Sequence, residues 1–161
     1  DQLNKEYVKD ITIDSDFELL FPDDYVNNIT ERLNLYTKLN EIKTEEGLQK
    51  FESNLIDRFG ELPRPVVDLL NSVRVKWIAT KIGLEKVVMK HGKLVGYFIH
   101  DQQSAFYQSH GFTKVLQYIQ QHPNAGKIKE KQTRTGLRLL ITFEHIKTVK
   151  QALAVLQPIL E

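Results

Sequence analysis

The sequence predicts an α+β protein: about three N-terminal helices packed with an antiparallel sheet made of two β-hairpins and two further helices, in the order ββαββα. Three observations carry this reading. Apolar residues recur at helical spacing three times before Gly83. Beyond Gly83 the spacing shortens to strand-like runs, and His91-Gly92-Lys93 and Arg134-Thr135-Gly136 each separate two of them as short turns. Hairpin strands are antiparallel, so helices and strands segregate along the chain rather than alternating as in a doubly wound parallel sheet.

Taken in order, residues 1–9 are polar and read as a linker from a preceding domain. Ile11-Thr12-Ile13 alternates between Asp10 and Asp14 and reads as a short strand or the tail of what comes before. Pro22-Asp23-Asp24 predicts the start of a first helix, with proline and acidic residues at its positive end. Its expected stripe is Val26, Ile29, Leu33, Tyr36 and Leu39, running to about Ile42. Thr44 is a candidate N-cap for the second helix, with Glu45 and Glu46 in the first turn and Leu48, Phe51, Leu55 and Phe59 as the stripe. Gly60 suits a helix end that needs positive φ, and Pro63 and Pro65 stop one helix and launch the next. That third helix runs from about Arg64 to Ile82 on Val66, Leu69, Leu70, Val73 and Trp77, and Gly83 ends it.

Val87-Val88-Met89 and Leu94 to Ile99 form the first hairpin. A polar link from Asp101 to Ser104 leads to a helix on Phe112, Val115, Leu116 and Ile119, which Ser109-His110-Gly111 breaks or re-aims. Lys127 to Thr133 and Leu137 to Phe143 form the second hairpin. Ile146, Val149, Leu153, Leu156 and Leu160 form a last helix, with Glu144-His145 marking its start and Pro158 loosening its end. The expected organisation is therefore one domain over 10–161, with a helical part at 22–83 and the ββαββα part at 84–161.

Composition narrows the function classes. With 161 residues the chain can bury a real core, and 41% hydrophobic and 27% charged residues are ordinary globular values. There is no cysteine, hence no disulfide and no thiol chemistry, which fits a reducing compartment. No apolar run approaches the roughly 20 residues of a membrane helix. The first residue is Asp1 rather than Met, and the expectation is a piece of a longer protein. The net charge of +1 conceals an asymmetry: residues 1–83 carry 11 Lys and Arg against 16 Asp and Glu, whereas residues 84–161 carry 11 against 5.

No catalytic residue is read from the motifs. The phosphate-binding Gly-x-x-x-x-Gly-Lys-Ser/Thr loop, Gly-x-Gly-x-x-Gly and His-Glu-x-x-His are all missing from the sequence, so no cofactor is expected. His91, His100, His110, His122 and His145 lie on turns and element ends without ligand spacing, and no metal site is expected. The sharpest binding candidate is the second hairpin, where Lys127, Lys129 and Lys131 alternate onto one strand face near Arg134 and Arg138. The competing account is an edge strand whose lysines prevent edge-to-edge aggregation, and no aromatic residue interleaves with them in sequence.

Three ordered segments carry a resemblance: Phe21-Pro22-Asp23-Asp24-Tyr25-Val26, then Arg32-Leu33-Asn34-Leu35-Tyr36, then Leu55-Ile56-Asp57-Arg58-Phe59-Gly60-Glu61-Leu62-Pro63. Together they resemble the C-terminal domain of bacterial transcription-repair coupling factor, most closely over residues 10–83. The family's corner usually has proline where this chain has Glu61. The resemblance implies a non-catalytic regulatory domain of an ATP-dependent DNA translocase that displaces stalled RNA polymerase in nucleotide excision repair. It implies an autoinhibitory contact with the N-terminal module of the same polypeptide, masking that module's binding surface for the A subunit of the excision nuclease. It further implies a bacterial, cytoplasmic protein whose motor lies outside this sequence. The family tends to place two acidic residues three apart before Arg-Phe-Gly; here Asp57 holds one position and Asn54 the other. The expected interface residue is Asp57, with Arg58, Glu52 and Glu61 at its rim. The alternative is a nucleic-acid-binding module acting through the basic hairpin 127–138.

Overall fold

A computed structural model of the protein describes residues 7–161, so the first six residues of the expected 1–9 linker lie outside the described residues. The backbone gathers into two compact units. One takes the described residues through Phe17 together with Val75–Glu161; the other is Glu18–Arg74.

The Glu18–Arg74 unit is helical. Its first helix, α1, is Ile29–Glu41, later than the Pro22 start expected from sequence. Pro22 instead opens a turn, its carbonyl accepting from Tyr25 N and Val26 N at 3.1 and 3.0 Å, and the Asn28 side chain caps the helix by accepting from Glu31 N. The later start changes the buried face. Leu35 and Leu39 enter the core, whereas Ile29 and Leu33, expected in the stripe, are 64% and 60% exposed. Helix α2 is Glu45–Phe59, capped by Thr44 as expected and buried along Leu48, Phe51 and Leu55. Gly60 ends it with φ +91.

Helix α3, Arg64–Ile82, crosses the boundary between the units. Val66, Leu69 and Leu70 are buried in its first half. In its second half Val75, Ala79 and Ile82 take over, and the expected Val73 and Trp77 are only half-buried.

The other unit holds a five-stranded sheet: β1 (Thr12–Ser15), β2 (Leu84–Lys90), β3 (Lys93–Phe98), β4 (Lys127–Thr133) and β5 (Gly136–Glu144), in spatial order β1-β2-β3-β5-β4. The two hairpins form as expected, but the sheet is mixed rather than wholly antiparallel, because β1 pairs with β2 in parallel. A two-residue turn joins β2 to β3, with His91 and Gly92 at φ 55 and 75; both central residues have the positive φ that matches strand twist. A 3-10 turn at Ala105–Gln108 precedes helix α4 (His110–Gln121), and Ser109 between them caps α4 by accepting from Phe112 N, which is the break expected at Ser109-His110-Gly111. Helix α5 is Val149–Leu156, capped by Thr148 and continued by a 3-10 turn through Pro158. Glu144 closes β5 instead of marking the start of this helix.

Period-2 alternation gives the sheet two unlike faces. One carries Val87, Met89, Leu94, Phe98, Ile141 and Phe143, all essentially fully buried. Phe112 of α4 and Phe106 of the 3-10 turn meet Phe98 on this side, at ring-centroid distances of 5.8 and 6.1 Å. Gly83 lies under the same aromatic group. A Cβ there would sit 2.1 Å from Phe106 Cζ, and φ is +98. Gly92 has a similar φ of +75 but open space around it. Gly83→Ala should therefore lose about 3 kcal/mol or more of stability through overpacking plus strain, and Gly92→Ala only about 1 kcal/mol through strain alone. Urea denaturation of both variants checks the difference; equal losses would mean that the ring moves aside freely.

Candidate interaction surfaces

Within the helical unit, the end of α2 is fixed by a tyrosine. Tyr25 Oη donates to the Gly60 carbonyl at 2.8 Å and lies 3.3 Å from the Leu55 carbonyl, and its ring meets Phe59 at 5.7 Å. Partial burial raises the Tyr25 pKa, so the phenol stays protonated as a donor throughout the neutral range. Arg58 forms an ion pair with Glu31 of α1 and lies over the Phe59 ring at 4.7 Å. These contacts hold α1 against α2 from outside their apolar seam.

Asp57 sits beside Arg58, exposed, and makes no ion pair among the described residues. With Asn54 and Arg58 it borders a cavity of about 160 Å³ between α1 and α2, with Lys38 on the opposite wall. Glu61 is exposed in the following turn. Glu52 does not join them: five residues earlier on α2, it lies about 140° round the helix. Its charge acts on Arg74 instead.

Sequence reasoning missed the Arg74 fork. Arg74 Nε and Nη2 donate to Glu45 Oε1 and Oε2 at 2.8 and 2.7 Å, tying α3 to the first turn of α2. The hydrogen bonds from Arg74 hold Glu45 below the usual carboxylate range and raise the arginine in turn. No local signal marks this pair, since its members are 29 residues apart.

The strand pairings show what surrounds the basic hairpin. Lys129 lies beside Leu140, then Tyr97, Lys86 and Thr12; Lys127 lies beside Thr142, Val95, Val88 and Asp14. Lys131 pairs with Arg138, and Lys90 with Lys93. All occupy the other sheet face, on which Leu140 and Thr142 of the central β5 are themselves buried while the β4 lysines are exposed. Seven cations, Lys86, Lys90, Lys93, Lys127, Lys129, Lys131 and Arg138, thus share a face with the carboxylates of Asp14 and Glu144. Three cations are engaged: Lys90 with Asp14 at 3.1 Å, Lys93 with Glu144 at 3.9 Å, and Arg138 with Glu85 at 3.0 Å. Arg138 also donates to the Phe98 carbonyl, which removes it from the free set expected at the hairpin. Arg134 is exposed in the β4–β5 turn. β4 is an edge strand, so the anti-aggregation account of its lysines stands beside the binding one.

No group of three or more His, Cys, Asp and Glu able to hold a metal occurs among the described residues, and no helix among them is long and apolar enough to cross a membrane.

A family profile described as the TRCF domain matches residues 15–109. Transcription-repair-coupling factor of Rickettsia prowazekii is 28% identical over 136 residues, covering 84% of this chain and 11% of that protein. That of Escherichia coli is 40% identical over 68 residues, covering 42% of this chain and 6% of that protein. The match thus spans only about a tenth of the length of the first of these relatives and less of the second. A solved C-terminal domain of transcription-repair coupling factor superposes with a TM-score of 0.67 at 20% identity, covering 93% of this chain and 92% of that one.

Glu45→Gln should cost about 0.5–1 kcal/mol at neutral pH, the range for a well-formed but half-exposed pair. Because the folded-state pKa of Glu45 is depressed, the difference from the unmodified protein is full above the usual carboxylate range. It is lost as pH falls through the depressed value. Denaturation midpoints of both proteins across an acid series test this; a pH-independent difference would remove the ion pair as its cause.

Proposed function

The chain belongs to the TRCF domain family, the family of the C-terminal domain of transcription-repair coupling factor, and we propose that it acts there as a non-catalytic, autoinhibitory domain. In this reading it packs on the N-terminal module of the same polypeptide and masks the surface that receives the A subunit of the excision nuclease. The DNA translocase motor and the RNA polymerase contact belong to the rest of that cytoplasmic protein.

The observation that carries the reading is Asp57. It is exposed and lacks an ion-pair partner among the described residues, yet it stands on a helix end pinned by Tyr25 and by the Arg58–Glu31 pair. A carboxylate held in place without an internal partner suits a cation presented by another surface, because little further ordering is needed on contact. Arg58 and Glu61 form its rim. A single exposed ion pair is worth only about 0–1 kcal/mol, so the contact also needs apolar area. Ile29 and Leu33, one turn apart on α1, and Ile56 on α2 are exposed apolar side chains in the same helical unit. Such a contact switches when a ligand binds one of its two states better than the other.

Titrating this chain with the isolated N-terminal module of the full-length protein tests the proposal. Binding is expected to weaken as salt rises, and Asp57→Arg to lower affinity about fivefold, whereas Glu52→Arg changes it little. A module that binds the Asp57→Arg variant as tightly as the unmodified chain would overturn this placement.

A further inference from the structure

We propose that the lysine-bearing face of the sheet binds single-stranded nucleic acid, independently of the autoinhibitory reading. In sequence the lysines of β4 have no aromatic neighbour, but the strand register supplies one. Tyr97 shares a transverse row with Lys129 on one side, across Leu140, and with Lys86 on the other. Lys86 Nζ and the Arg138 guanidinium lie over its ring at 5.6 and 5.4 Å from the centroid, so a base that stacks there takes the place of a cation, which is freed toward the phosphates. The next row adds Val88 and Val95 as half-buried apolar neighbours, beside the buried Thr142. The face therefore combines an aromatic ring, an apolar floor and surrounding cations. Those are the elements that hold a splayed strand, with bases stacked on side chains and phosphates tracked by cations.

The charge balance favours a polyanion. Once the three ion pairs are formed, Lys86, Lys127, Lys129 and Lys131 remain without a carboxylate partner among the described residues. Three of them follow one edge strand at every second residue, about 6.8 Å apart given the antiparallel rise. An array of that kind lies along a phosphate backbone, with its cations all facing one way. A duplex would satisfy the charges but keep its bases stacked inside, with none to place against Tyr97. The single strand uses both features.

The test is fluorescence anisotropy of the 161-residue chain with a labelled 12-nucleotide oligo-dT, a duplex of equal length, and polyglutamate of equal charge. Oligo-dT should bind most tightly. With four phosphates neutralised, its affinity should fall about 50-fold between 50 and 200 mM salt, a log–log slope near −3. Converting Lys127, Lys129 and Lys131 to Glu should lower affinity by about tenfold or more and flatten that slope to about −1. Tyr97→Ala should weaken oligo-dT about tenfold while leaving duplex binding unchanged, and Tyr97→Phe should restore it. Circular dichroism of each variant separates lost binding from lost fold. No oligo-dT binding at 50 mM salt, or binding indifferent to the lysine reversals, overturns the proposal. So does duplex or polyglutamate bound as tightly as oligo-dT, which would assign the face to duplex DNA or to an acidic protein.

Discussion

The sheet unit depends on a single backbone residue held under an aromatic ring. Helix α3 ends at Ile82 and β2 begins at Leu84, so the chain passes from helix to strand across Gly83 alone. That reversal needs φ +98, and the Phe106 ring lies where a side chain would be. Phe106 in turn meets Phe98, Tyr107 and Phe112 at 5.3–6.1 Å, linking the 3-10 turn, β3 and α4. Tyr107 anchors the same turn by donating its hydroxyl to the Ile99 carbonyl. The glycine and the ring are one device: the missing Cβ admits the ring, and the ring fixes the direction in which the strand leaves.

Much of this architecture was legible because its signals are local. Thr44 and Gly60 bracket α2, Gly83 closes α3, and the turn around His91-Gly92 positions a hairpin, all through short-range backbone chemistry. What failed were properties set by distant partners. The phase of α1 was misread because Pro22-Asp23-Asp24 resembles a helix start yet forms a turn, stabilised by Arg32 donating to the Val26 carbonyl at 2.6 Å. The parallel pairing of β1 was invisible because its partner lies more than 70 residues away. The candidate sites divide in the same way. Asp57 was reachable through its motif, whereas the separation of Glu52 from it required the helix geometry. Tyr97 among the lysines required the strand register.

Pairing, more than number, decides what the charges are available to do. Arg74, Arg58 and Arg138 all look like free cations in the sequence, and each is committed: to Glu45, to Glu31 and to Glu85. The guanidinium is suited to this work, since its planar fork can hold two oxygens at once, as Arg74 does with Glu45. The lysines, single flexible point charges, are mostly those left over. Internal structure thus takes most of the arginines, whereas Asp57 and the β4 lysines keep no ion-pair partner among the described residues.

The parallel strand has a consequence for the order in which the protein can assemble. Thr12 pairs with Lys86 and Ser15 with Met89, and the whole of Glu18–Arg74 lies between them in the chain. On a ribosome the first strand of the sheet is made early and has nothing to pair with until residue 89 has emerged. By then the helical segment has been synthesised in full. The N-terminal strand must wait as an unpaired edge while the intervening residues fold, and the closure that seats it spans the longest separation of any strand pair here. Assembly of the sheet is thus tied to prior synthesis of the helices, although the two belong to different compact units.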